Sequence, residues 1–268
     1  MLAGSLLQQC YNIADTLIVG QCIGANALAA VGSAYTLMVF LISILLGLSM
    51  GSGTVFSLQY GAGDLSALRR SIYVSLLLIG TVTILLNVAV FLWLDPILRW
   101  LQVPYDIYPL MRNYLWIIFW GIVFTFLYNF YAALLRAVGD SVTPLWFLAV
   151  SVVLNIGLDL FLILVLDQGI EGAAVATVIA QGTAASGILL YTYKIRPELR
   201  LHREDMRFDR SSLREITSFS TLTCVQQSVM NFGILMVQGL VNSFGTVVMA
   251  AFAAAVKIDS FAYMPVQE

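Results

Sequence analysis

The chain alternates long apolar runs with short polar breaks. Residues 34–58, 71–94, 113–135 and 172–193 contain no Asp, Glu, Lys or Arg, and residues 141–166 contain one charge, Asp159. The run 216–256 is uncharged over 41 positions, too long for one span of ordinary tilt. Its expected break is Asn242-Ser243-Phe244-Gly245, a turn-forming cluster. A spanning helix takes about 20 predominantly apolar residues. Counting the opening segment, the pattern predicts eight helices, over 1–22, 28–59, 66–94, 106–136, 143–166, 170–194, 213–242 and 246–268. The fold class is all-α: a polytopic membrane protein.

Composition agrees. Hydrophobic residues make up 60% of the 268, charged residues 10%, and mean hydropathy is +0.91, against about 45–50% and about 25% in soluble domains. A net charge of −2 excludes a basic nucleic-acid-binding domain. Cys10, Cys22 and Cys224 have no paired spacing and read as small packing residues. His202 stands alone, so no histidine cluster exists for a metal.

The loops near 60–70, 136–142 and 194–214 fall on one side of an eight-span topology. They hold ten of the thirteen basic residues, among them Arg69, Arg136, Lys194, Arg196 and Arg210. The positive-inside rule makes that side, and the N-terminus with it, cytoplasmic in a cell (inner or plasma) membrane. The last segment stops at residues 263–268 without a basic flank and the first has no polar lead-in, so the chain is expected to be part of a longer one.

A short repeat supports an organisation in lobes. Residues 23–32 (IGANALAAVG) overlay 244–253 (FGTVVMAAFA) with a shift of 221, placing Gly24 on Gly245 and Ala29-Ala30 on Ala250-Ala251. The shift pairs the first two spans with the seventh and eighth, as a parallel transporter repeat would. The expected domains are a six-helix N-terminal lobe over 1–194, with its first helix incomplete, an inter-lobe loop over 195–212, and the first two helices of a second lobe over 213–268. The loop, with mixed charges, reads as a solvated linker.

Two acids sit at bilayer depth, where an ionisable group costs about 2.5–3.5 kcal/mol on insertion scales and is therefore a functional candidate. They are Asp15 in the first span and Asp159 in the fifth. Asn155 and Asp159 are i and i+4 and share a helix face. Asp15, Asp159 and Thr177 each lie seven residues from the same membrane boundary, a common depth of roughly 10 Å at about 1.5 Å per residue. Carboxylate, amide and hydroxyl oxygens suit Na⁺ and also pass a proton. The same residues admit a structural reading, in which Asp15 braces neighbouring helices while reaching toward the interface.

Other motifs carry less. Gly47-Leu48-Ser49-Met50-Gly51 matches the nucleophile pattern G-x-S-x-G but lies in a membrane helix far from His202. Gly47, Ser49, Gly51 and Gly53 read instead as small residues that let helices approach. No G-x-x-x-x-G-K-[ST] occurs, so no ATP is expected. Trp93, Trp100, Tyr105 and Tyr108 read as an aromatic belt.

Several ordered segments resemble the multidrug and toxic compound extrusion (MATE) family. They are Tyr11 to Thr16 with Gly24 and Ala29 to Gly32, Gln59 to Asp64, Leu135 to Asp140 with Pro144, Asn155 to Asp159, and Gly172 to Thr177. The resemblance implies two six-helix lobes and export of cationic or amphipathic compounds in exchange for Na⁺ or H⁺, by a monomer when full length. It implies a cation- or proton-coupling site at Asp15, Asn155, Asp159 and Thr177, where Na⁺ could bind, and no cofactor beyond the coupling Na⁺ or H⁺. Asn12, Gln226 and Gln227 are candidate substrate-cavity residues. A helix-7 Glu used in another branch has no counterpart, since 216–256 carries no acid. The alternatives are a related lipid-linked oligosaccharide flippase, which should carry basic residues in its cavity, or a fragment inactive alone. A membrane-embedded enzyme is disfavoured for want of a catalytic pair.

Overall fold

The computed structural model describes residues 15–202, 204–206 and 209–267. Among them the chain is a helical bundle: α1 (15–22), α2 (Ala25–Gly61), α3 (Leu65–Trp100), α4 (Tyr108–Trp120), α5 (Ile122–Ala137), α6 (Val142–Leu160), α7 (Gly169–Ile195), α8 (Arg210–Asn242) and α9 (Thr246–Gln267). A π-helical turn, Phe161–Val165, continues α6, and a 3₁₀ turn, Pro197–Leu199, follows α7. An apolar chain in lipid must satisfy its backbone internally, which leaves helices as the available solution here.

Five of these helices are long and apolar enough to cross a membrane, or six spans if α4 and α5 count as one. Of the expected eight, the remaining two are α1, described only from residue 15, and α9, whose 246–256 stretch is a short apolar helix.

The helix ends follow local chemistry. Gly24 (φ 112°) and Gly245 (φ 90°) take left-handed backbone immediately before α2 and α9. The two starts, Ala25 and Thr246, are related by the same shift of 221 as the sequence repeat. Asp64 caps α3, accepting from the Ala67 N–H (2.9 Å) and the Ser66 hydroxyl (2.8 Å), and these bonds hold its carboxyl below the usual range. Asp209 caps α8 in the same manner through Ser211 and Ser212.

Two spans depart from the expected pattern. The 106–136 span is broken at Gly121, where α4 and α5 meet at 47°. A Cβ on Gly121 would lie 2.9 Å from Val178 of α7, and the Asn87 amide donates to the Phe119 carbonyl at 2.6 Å beside the break. Freed carbonyls in a bent membrane helix need such partners. The 66–94 span runs on to Trp100, with non-helical backbone at Trp93 just ahead of Pro96, whose missing N–H loosens that turn.

α2 runs through the centre and packs on α3, α4, α5, α8 and α9. Gly47 and Gly51 lie against the α8 backbone: a Cβ on Gly47 would sit 2.5 Å from Cys224 Cα, and one on Gly51 would overlap Ser220. These glycines act in close approach, as the sequence suggested, and have no histidine beside them. The loops 60–70, 136–142 and 194–214 gather at one end of the bundle, called here the basic end.

The 195–212 loop is not a free linker. Leu199 and Asp205 are buried; Arg69 pairs with Asp205 at 3.0 Å and Arg196 with Asp140 at 3.1 Å. At the opposite end Asp95 accepts from Arg112 Nε and from the Tyr108 hydroxyl, each at 2.8 Å, which gives one of its few basic residues a partner.

Candidate functional site

The site begins with one turn of α6. Asn155 and Asp159 point together into the bundle at 1% and 0% exposure, and Thr177 of α7 faces them at 6%. With the Asn155 amide oriented to satisfy both of its ends, Nδ2 donates to Asp159 Oδ2 at 2.9 Å and Oδ1 accepts from the Thr177 N–H at 3.2 Å. The Thr177 hydroxyl donates to the Ala173 carbonyl at 3.0 Å. The other carboxylate oxygen, Asp159 Oδ1, is buried with no hydrogen-bond partner among the described residues.

A buried carboxylate oxygen left unmatched is costly. Either a proton on it or a cation beside it would relieve that cost. The neighbouring oxygens of Asn155 and Thr177 are the hard donors a small monovalent cation requires. No group of three or more His, Cys, Asp or Glu side chains suited to a metal occurs among the described residues.

Asp15, half-buried on α1, lies close enough for its charge to act on Asp159. It lines a cavity of about 380 Å³ together with Thr16, Tyr35, Tyr114, Thr125, Asn129, Thr177 and Gln181. A smaller cavity of about 120 Å³ lies between α5, α6 and α7, lined by Thr125, Asn129, Ser151, Asn155, Thr177 and Gln181. The two cavities share Thr125, Asn129, Thr177 and Gln181, and that shared wall is itself bonded: the Thr125 hydroxyl donates to Gln181 Oε1 at 2.5 Å, and Asn129 Nδ2 to the Thr125 carbonyl at 2.8 Å. Among the described residues neither lining contains Lys or Arg.

All four sequence candidates for ion coupling therefore border this pair of cavities or, for Asp159, bond directly to their wall. Gln226 and Gln227 do not line them: Gln226 is exposed and Gln227 half-buried. For Gln226 the reason is helical phase. The stripe of α8 turned to α2 runs through Ser220, Cys224, Gln238 and Asn242, and Gln226 is two residues, about 200°, away from Cys224, whereas Gln227, three residues from Cys224, lies nearer the stripe and is half-buried. Asn12 lies outside the described residues.

Sequence reasoning missed Tyr114, Thr125, Asn129 and Gln181. A signal was present: Thr125 and Asn129, like Thr177 and Gln181, are polar pairs at i,i+4 inside apolar spans. It also missed the π-helical turn that follows Asp159, where the Leu166 N–H reaches back to the Phe161 carbonyl at 3.2 Å. A wider turn of this kind is frequent beside functional residues, and Gly172 of α7 closes on it, its added Cβ falling 3.1 Å from Leu162 Cβ.

Comparison with known proteins gives one consistent result. Residues 1–161 match the MatE family model. The chain is 34% identical over 265 residues to a Bacillus subtilis protein named "Probable multidrug resistance protein YpnP", covering 99% of this chain and 59% of that one. It is 29% identical to "Probable multidrug resistance protein YoeA" of the same organism, over 99% of this chain and 59% of the relative. Among solved structures it superposes on the MATE multidrug transporter DinF-BH with a TM-score of 0.91, 25% identity, and coverage of 99% of this chain and 60% of that one. The chain thus spans about three-fifths of the length of the relatives it matches.

Proposed function

This chain belongs to the MatE family of multidrug transporters, and from that premise we propose that it supplies the ion-coupling part of a secondary antiporter that exports organic cations in exchange for Na⁺ or H⁺. The observation that carries the reading is Asp159, fully buried, bonded through one oxygen to Asn155 and unmatched at the other among the described residues. Asp15 and Asp159 repel when both are ionised, so charge neutralisation at either one favours their approach and its loss favours separation. α1 and α6 carry these acids, which makes their spacing the element biased by the coupling ion.

The basic end is the cytoplasmic end by the positive-inside rule. A positive charge moving inward then gains about 2.3 kcal/mol per 100 mV of membrane potential, a source of work for export. The substrate is a small amphipathic or cationic compound held in the cavity that contains Asp15, Tyr114 and Gln181. That the described residues lining the cavities include no Lys or Arg favours this over a flippase for an anionic lipid-linked sugar.

The test uses the full-length protein in membrane vesicles carrying an imposed Na⁺ or proton gradient. Asp15→Asn and Asp159→Asn should each abolish ion-driven efflux of a fluorescent organic cation while leaving expression intact. Efflux that persists in both variants would sink the assignment. Running each gradient alone identifies the ion.

A further inference from the structure

The seam between α2 and α8 is held differently at its two ends. Toward the basic end the two backbones close at Gly47 and Gly51, with two separate bonds across the seam, the Ser220 hydroxyl to the Leu48 carbonyl at 3.2 Å and Gln59 Nε2 to Glu215 Oε2 at 3.5 Å. Toward the opposite end it is a closed set of hydrogen bonds. Gln238 Nε2 donates to Ser33 Oγ and to Asn242 Oδ1, each at 2.8 Å, and Ser33 Oγ donates to Asn242 Oδ1 at 3.0 Å. The Thr36 hydroxyl donates to Gln238 Oε1 at 3.2 Å, and Asn242 Nδ2 donates to the Leu101 carbonyl at 2.8 Å. Ser33, Gln238 and Asn242 are at most 3% exposed. Leu101 belongs to the turn after α3, whose next residue, Gln102, takes a left-handed φ of 53°.

The position of this set matters as much as its bonds. Asn242 lines a wide cleft at the end opposite the basic loops, walled by Gln102, Val103, Tyr105 and Ser243. On the other side, Gly32 and Tyr35, which flank Ser33 in α2, line the cavity that holds Asp15. The bonded cluster therefore stands between an open cleft and the candidate coupling site. Its members are neutral amides and hydroxyls. Water in the cleft can replace every bond when the seam parts, and no charge has to be moved or neutralised for it to close again.

We propose that Ser33, Thr36, Gln238 and Asn242 form a latch that seals the Asp15 cavity from the end opposite the basic loops, and that access from that end requires these bonds to break. The proposal rests on the antiporter reading only in that two packed bodies must part along this seam. By the 221-residue shift the counterpart of Ser33 is Ala254, so the latch occupies one side of the repeat and not the other.

The test uses the full-length protein in a cysteine-free background, reconstituted in vesicles, with one reporter cysteine at Val39 in the Asp15 cavity. A membrane-impermeant maleimide is added from the side opposite the basic loops. Gln238→Leu removes two interhelical bonds and Asn242→Leu removes the ties to Ser33 and Leu101. Each should raise the labelling rate roughly tenfold, at about threefold per interhelical bond. In parallel, the Ser33→Cys, Asn242→Cys pair is oxidised; labelling at residue 39 should fall and return on reduction. Folded leucine variants that label at the unmodified rate overturn the latch, and so does an oxidised pair that labels as fast as the reduced one. Should the leucine variants fail to fold, the oxidised pair decides alone. Labelling needs no transported compound, so absence of ion-driven efflux would defeat the antiporter reading and leave the latch to be judged on its own result.

Discussion

Gly32 of α2 and Ala253 of α9 touch, so closely that a Cβ added to Gly32 would overlap that of Ala253. They are also equivalent positions under the 221-residue shift that superposes 23–32 on 244–253. Positions matched by that shift thus meet where α2 packs on α9, and only a residue without a side chain fits opposite Ala253. Replacing Gly32 by Val should push α9 away and lower stability by about 1–3 kcal/mol, read as a loss of melting temperature in detergent.

The same logic separates neighbouring glycines of α2. A Cβ at Gly51 overlaps Ser220, whereas one at Gly53 would meet Ala133 at an ordinary 3.6 Å. Gly51→Leu should destabilise the α2–α8 seam by about 1–3 kcal/mol. Gly53→Ala should be neutral or gain up to about 1 kcal/mol from helix propensity. Equal effects at the two positions would contradict the packing described.

Asn155 is the donor to Asp159 Oδ2. Asn155→Leu removes that donor and one hard ligand while keeping the size of the side chain. A hydrogen bond to a charged group is worth about 1.5–3 kcal/mol, so ion-driven efflux by the full-length protein should need a tenfold or greater rise in coupling-ion concentration to recover. An unchanged ion dependence in transport assays would remove Asn155 from the site.

Asp140 gives a pH prediction outside the membrane. Partial burial pushes its carboxyl up, but bonds from the Thr143 N–H (3.0 Å) and hydroxyl (2.9 Å) and the Arg196 guanidinium outweigh this and hold it below the ordinary 3.8. A carboxyl lowered in the folded state stabilises fully above its unfolded value and loses that contribution as pH falls through the folded value. Asp140→Asn should thus be less stable than the parent at pH 7, with the difference in melting temperature shrinking below about pH 4.

Arg69 fastens the 195–212 loop through Asp205, whose side chain is only 12% exposed. Arg69→Ala should free the loop without unfolding the helices. Hydrogen–deuterium exchange of backbone amides in 196–206 should rise severalfold while exchange in α2 and α7 stays as it was. Uniformly increased exchange would mean that the contact supports the whole bundle.

Much of this architecture was legible along the chain because lipid imposes a simple rule. An uncharged apolar run of membrane length has to be a helix, and turn residues such as Asn242 to Gly245 mark where it stops. The scarcity of charge likewise singled out Asp15 and Asp159, and the i,i+4 spacing put Asn155 beside Asp159. Helical period also predicts which residues share a face, but it does not say which face meets which neighbour. That is why Gln226, at a suitable depth on α8, points away from the seam while Gln238 and Asn242, on the same helix, close it. The break at Gly121, the π-helical turn after Asp159 and the pinning of the 195–212 loop depend on contacts from Val178, Gly172 and Arg69, between 10 and 136 residues away in the chain. Sequence determined the helices, their order and the two intramembrane acids through local hydrophobicity alone. The tertiary structure decided how each helix is rotated against its neighbours, and with it which oxygen of Asp159 is left unmatched and what bars the way to it.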